Sequence, residues 1–186
     1  MPTSSGTELW DVLAAEAAAE SPLWAEALLP EREQRRHPVF STLCDAAFAL
    51  GVETVYEGYL LHYGRPRLFA PADGDTALLL GDYLYAHGLV RIAATGNVEA
   101  VRDLAELISL CAQSRAAGDG RVDELAWAAT CALLGEGQQL EEARRALRAG
   151  GDLSSLERLV RETVGAAAAG ALEAHRRLTA QGHLVV

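Results

Sequence analysis

Apolar residues in this chain recur at intervals of three and four, and nowhere do they alternate one for one over a strand-length run. Such spacing gathers them on one face of a helix, whereas a half-buried strand needs a period of two. The clearest case is 98–117, where Val101, Leu104, Ala105, Ile108, Cys111 and Ala112 share a face. Half of the residues are hydrophobic and only 6% are aromatic. Alanine and leucine dominate, and neither loses much side-chain freedom in a helix. The expectation is an all-α fold, one helical domain over 1–186, with eight or nine helices in a bundle.

Local signals divide the chain into N-terminal helices (1–31), a middle region (32–117) and C-terminal helices (118–186). A first helix over 7–20 gives way to Ser21-Pro22, an N-cap and first-turn pair that restarts a helix. Pro30 ends it, and 31–37 reads as a charged connector closed by Pro38. Helices are expected over 39–50, capped by Gly51, and over 53–63, with Val55, Tyr59 and Leu60 facing the core. Gly64-Arg65-Pro66 breaks the second of these. Asp75 or Thr76 is the expected N-cap of 77–94, the most apolar stretch. Its small residues Gly81, Ala86 and Gly88 would suit the centre of a bundle. Gly96-Asn97 stops this helix and caps the one over 98–117, beyond which helices follow over 122–134 and 141–149. Ser154-Ser155-Leu156-Glu157 has the form of a capping box opening one long final helix to about Ala180.

The formal net charge is −10, and every positive charge is arginine, because the chain has no lysine. Phosphate backbones and anionic lipid surfaces should repel such a chain, so nucleic acid is a poor partner. Without lysine there is no Schiff-base nucleophile, Walker lysine or lysine general base. Cys44, Cys111 and Cys131 lie far apart in apolar stretches and read as reduced core thiols. No run approaches the ~18 apolar residues of a membrane span, and no N-terminal leader pattern appears. A soluble cytoplasmic protein is expected.

Candidate chemistry is sparse. There are no adjacent aspartates and no Glu-x-x-His pair, and Asp73-Gly74-Asp75 reads as turn chemistry. No metal site or cofactor is expected. Glu57 and His62, five apart, read as ordinary helix residues. His62, His87 and His175 fall on separate helices. Arg35 and Arg36 could present guanidinium forks to a diphosphate, or simply belong to a solvated connector. Tyr83, His87 and Arg91 recur at i, i+4 and i+8, with Asp82 beside them. They either line a pocket for an anionic or prenyl-like ligand, or mark where that helix surfaces, with Asp82 serving a neighbouring helix end.

Gly64-Arg65-Pro66, followed by Leu79-Leu80-Gly81-Asp82-Tyr83-Leu84-Tyr85-Ala86, resembles the trans-isoprenyl (polyprenyl) diphosphate synthases. That family has a Gly-Arg/Lys-Pro turn and then a helix beginning Leu-x-Gly-Asp-x-Leu-x-Ala. Upstream, Glu33 to Pro38 stands where the family's Gly-Lys-Arg-x-Arg-Pro motif would fall, leaving Arg35 as the surviving diphosphate ligand. The resemblance covers roughly 32–117 and implies a reduced isoprenoid synthase fold.

It also shows what is missing. The family binds Mg²⁺ through an Asp-rich motif just before the Gly-Arg-Pro turn and through a second one downstream, and both are absent. His62-Tyr63 replaces the arginine pair ahead of the turn glycine. Ionising an allylic diphosphate needs those cations to neutralise the leaving pyrophosphate. The resemblance therefore implies a non-catalytic protein. It would be an accessory or regulatory subunit of a prenyl diphosphate synthase, a homodimer, or a binder of a prenyl or lipid ligand. Its candidate ligand residues are Arg35, Arg65, Asp82, Tyr83, His87 and Arg91. Two other readings stay open: an unrelated all-helical interaction module, and a divergent metal-independent enzyme on a terpenoid or lipid substrate.

Overall fold

The computed structural model describes residues 6–136 and 138–180, which form nine α-helices and no strand. In chain order they are α1 (Gly6–Glu20), α2 (Pro22–Ala27), α3 (Ala49–Tyr63), α4 (Gly74–Ala93) and α5 (Val98–Ala116). They continue with α6 (Arg121–Ala132), α7 (Gln138–Gly150), α8 (Ser154–Thr163) and α9 (Ala168–Thr179). No helix among the described residues is long and apolar enough to cross a membrane.

α3 is the axis of the molecule. Every residue from Gly51 to Leu61 is buried, so the helix is enclosed on all sides and shows no polar face. One core joins Val52, Tyr56 and Tyr59 of α3 to Leu104, Trp127, Leu156 and Ala171 on later helices. A second joins Trp10 and Leu13 of α1 to Leu61, Phe69, Leu80 and Leu84. The expected centre thus shifts by one helix. α4 packs along α3 but leaves Leu78, Leu79 and Val90 more than half exposed on its far side, and Ala86 is exposed too.

Glycine sets how closely α3 and α4 meet. A Cβ added at Gly88 would lie 2.5 Å from Val55 Cγ2 and 3.0 Å from the Gly51 carbonyl oxygen. One added at Gly58 would lie 2.8 Å from the Gly81 carbonyl oxygen. The helices run antiparallel, so Gly51 meets Gly88 and, two turns on, Gly58 meets Gly81. Gly51 is therefore a packing residue inside α3, not the C-cap of a preceding helix.

The helix expected over 39–50 does not form. Two 3₁₀ turns, Ser41–Leu43 and Ala46–Phe48, precede α3. Their polar side chains take the backbone bonds that a helix would need. Thr42 Oγ1 donates to the Val39 carbonyl at 3.0 Å, and Asp45 accepts from Ala47 N at 2.8 Å. The connector likewise forms only the 3₁₀ turn Glu31–Glu33 and then runs extended. It is laced to the loop after the Gly-Arg-Pro turn: Leu29 N donates to Leu68 O, and Arg35 N to Arg67 O.

Capping follows the sequence at two starts and departs from it at two. Ser21 caps α2 and Asn97 caps α5, accepting from Leu23 N and Ala100 N. α4 is capped by Asp73, which accepts from Thr76 N at 2.7 Å, and not by Asp75 or Thr76. No capping box forms at Ser154; Asp152 instead accepts from its backbone N and its hydroxyl, both at 2.9 Å. The long final helix is broken after Thr163, where Gly165 takes a φ of +46° and a 3₁₀ turn leads into α9.

Candidate functional site

Glu53 and Glu57 stand one turn apart on α3, on the face turned toward the connector, and both are wholly buried. Two bare carboxylates there would be ruinous, since an unpaired buried charge costs several kcal/mol. Arg67, the residue immediately after the Gly64-Arg65-Pro66 turn, supplies the counter-charge and is itself only 1% exposed. Its Nε donates to Glu57 Oε2 at 2.9 Å, and one terminal nitrogen donates to Glu53 Oε2 at 2.6 Å.

The remaining carboxylate oxygens are also occupied. Glu53 Oε1 accepts from Val39 N, Ser41 N and Ser41 Oγ. Glu57 Oε1 accepts from the backbone N–H groups of Arg67 and Leu68, at 2.7 and 2.8 Å. Burial alone would lower the Arg67 pKa, but Glu53 and Glu57 outweigh it and hold the guanidinium charged. Trp10 and Tyr56 close over it, with ring centroids 4.7 and 5.0 Å from its central carbon. Glu57 is therefore no ordinary helix residue. All four oxygens of the pair are spent inside the protein.

The outer side of this clasp carries an arginine-rimmed cleft. One cavity, of about 540 Å³, is lined by Arg35, Arg65, Pro66, Arg67 and Phe69 among others. A second, of about 350 Å³, shares the same three arginines and adds Pro38, Val39, Ala174, Arg177 and Leu178. Arg65 N donates to Leu178 O at 2.9 Å, which fixes the turn against α9. Arg177 is tied to Glu173 at 2.8 Å, whereas Arg35 and Arg65 are exposed and make no ion pair among the described residues. Arginine forks around an apolar floor suit a ligand with an anionic head and an apolar body. Arg36 does not join them; it is bound to Asp11 at 2.7 Å and to Gln34.

The other sequence candidates lie elsewhere. Tyr83, His87 and Arg91 do form a stripe on α4, but it faces α1 and α2. His87 Nε2 lies 2.8 Å from Glu16 Oε2, and Arg91 pairs with the same carboxylate. The Tyr83 ring stacks on Trp24 and His87, at 6.0 and 5.3 Å. The stripe is thus neither an open pocket nor a solvated face. It docks the N-terminal helices. Asp82 is exposed on the other side of α4, its Oδ1 3.3 Å from Nε2 of His62 in the last turn of α3. His62, His87 and His175 do not converge: His62 stacks on Tyr85, and His175 on Tyr59.

A third polar group lies deeper. Tyr59 OH donates to Asp123 Oδ2 at 2.6 Å, and Arg115 donates to both residues. Burial raises the Asp123 pKa despite these partners, and its Oδ1 has none. Nearby, Tyr56 OH lies 3.0 Å from His175 Nδ1, and burial drives the His175 pKa down to about 3. These groups sit in packed core, so they read as structure. Among the described residues no three His, Cys, Asp or Glu side chains cluster as metal ligands would. Cys111 and Cys131 are buried and free, and burial pushes the half-buried Cys44 thiol up to about 12.

No family model, curated protein or solved structure matches this chain.

Proposed function

We propose that this protein is a non-catalytic relative of the prenyl diphosphate synthases, acting as an accessory or regulatory subunit of an active synthase. The observation that carries the reading is the Glu53–Arg67–Glu57 clasp. The synthases hold Mg²⁺ on carboxylates just ahead of their Gly-Arg-Pro turn. In this chain the carboxylates ahead of Gly64-Arg65-Pro66 are closed around a guanidinium, with every oxygen hydrogen-bonded inside the protein. A side-chain cation in place of a metal preserves the packing and forgoes the pyrophosphate activation that metal ions supply.

The experiment is co-expression with a prenyl diphosphate synthase from the same organism. A stable complex with altered product chain length supports the reading. No complex and unchanged products overturn it and favour an unrelated helical interaction module. A second reading, a binder of a prenyl chain bearing an anionic head, is favoured by Arg35 and Arg65, which make no ion pair among the described residues, over the apolar floor of the cleft. Titration with farnesyl diphosphate and with inorganic pyrophosphate tests it. Binding lost in Arg35→Ala and Arg65→Ala supports it; equal binding by those variants removes it.

A further inference from the structure

Arg35 and Arg65 stand between two hollows rather than at the end of one. The cavities of about 540 and 350 Å³ have these two arginines and Arg67 in common and share no other wall residue, so the arginines form the divide. Leu29, Pro66 and Phe69 give the first hollow its apolar surface, and Pro38, Val39 and Leu178 give the second one. Both arginines sit on pinned backbone: Arg35 N donates to Arg67 O at 3.0 Å, and Arg65 N to Leu178 O at 2.9 Å. The Arg67 guanidinium is taken up by Glu53 and Glu57, which leaves Arg35 and Arg65 as the exposed cations of the divide.

We infer that this cleft docks a peptide segment of a partner protein in which one carboxylate side chain is flanked on both sides by apolar ones. Charge complementarity selects the carboxylate. The whole chain carries −10, but charges more than about 8 Å away are screened at physiological ionic strength. The two arginines therefore set the sign at the divide, and a guanidinium fork meets a carboxylate through two parallel hydrogen bonds. The two hollows select what flanks it. An amphiphile with its anion at one end fills one hollow and leaves the other wet, whereas a carboxylate inside a peptide can send apolar neighbours into both. Because the arginines are already held in place, docking costs little ordering of the cleft. The inference gives the accessory-subunit reading a docking site without depending on it: a peptide can bind where no synthase does, and a synthase can bind on another face. It competes with the prenyl-binder reading for the same cleft.

Panning a random peptide display library on the purified chain tests it. The expected enrichment is for sequences with one aspartate or glutamate between apolar residues. An enriched peptide, synthesised with a fluorophore and titrated by anisotropy, should bind Arg35→Ala and Arg65→Ala about tenfold or more weakly, the range of one charge-assisted hydrogen bond. Ala70→Asp, in the first hollow, and Ala174→Asp, in the second, should each weaken it as well. Arg161→Ala, at an exposed arginine of α8, should leave it unchanged. Far-ultraviolet dichroism checks that each variant is folded. No enrichment overturns the inference, as does enrichment without an acidic residue, or binding that survives substitution of either arginine or of either hollow. Farnesyl diphosphate that binds the chain, and loses its binding in only one of Ala70→Asp and Ala174→Asp, overturns it too and assigns the cleft to a single-headed amphiphile.

Discussion

The central carbon of the Arg67 guanidinium lies 4.7 Å from the centre of the Trp10 ring, so α1 closes directly over the ion triad that α3 and the following loop build. Removing that ring exposes a buried charge network as well as an apolar cavity. Trp10→Ala should cost about 3–5 kcal/mol. Glu16 also holds α1, through His87 and Arg91, but it is 46% exposed, and Glu16→Gln should cost at most about 1 kcal/mol. Urea unfolding of the two variants checks the order; similar losses would place the hold on α1 in its surface ion pairs.

Arg67→Ala leaves Glu53 and Glu57 buried without a counter-charge. The expected loss at neutral pH is about 3–5 kcal/mol. The stranded carboxylates then favour their protonated forms, so part of the loss should be recovered as the pH falls from about 7 to 5. Urea midpoints at the two pH values give the comparison. An equal deficit at both would mean that the guanidinium matters for its packing and not its charge.

His175 carries the clearest pH dependence. Its folded pKa is depressed to about 3 by burial, aided by Arg115 and Arg176, against about 6.5 in an unfolded chain. Above the unfolded value both states hold a neutral ring, and its full contribution to stability is present. Below it the unfolded state takes up a proton that the folded state refuses, so stability falls as the pH drops from about 6.5 toward 3. His175→Gln keeps a hydrogen-bonding partner for Tyr56 and does not titrate. Its stability should vary less over that window than that of the native protein. A parallel pair of curves would assign the acid sensitivity to other groups.

Gly88→Ala should destabilise by roughly 1–3 kcal/mol, because the new methyl meets Val55 Cγ2 and backbone atoms of α3 at 2.5–3.0 Å. Gly170→Ala, in α9, meets nothing within 4 Å and should stabilise by about 0.5–1 kcal/mol. Melting temperatures that move in opposite directions are expected. Two shifts of the same sign would contradict the close approach of α3 to α4.

Helix type was readable from the sequence wherever a helix has an inside and an outside. α5 is the best example, and its boundary at Asn97 follows from a side chain that caps it. α3 was harder, because a helix buried all round has no period to detect. Its start was misread because Thr42 and Asp45 bind their own backbone in 3₁₀ turns. The clasp was invisible for a different reason. Glu53 and Glu57 show helical spacing but not their burial, and Arg67 reaches them only after the chain has turned back. The Tyr83–His87–Arg91 stripe was legible as a stripe, yet its meaning depends on Glu16, 71 residues from His87. A buried arginine on α7 is a similar case: Arg144 donates to Asp103 of α5 and Thr130 of α6, and no local pattern marks it.

The paired glycine contacts between α3 and α4 also constrain how this chain can vary in length. Gly51–Gly88 and Gly58–Gly81 repeat at the same seven-residue interval on both helices, so they act together as a register mark. One residue inserted between Gly51 and Gly58, or between Gly81 and Gly88, rotates everything beyond it by about 100° and drives a side chain into a facing backbone. An insertion between Pro71 and Asp73 leaves both contacts aligned. In this part of the molecule, length can change in the loop but not in the helices.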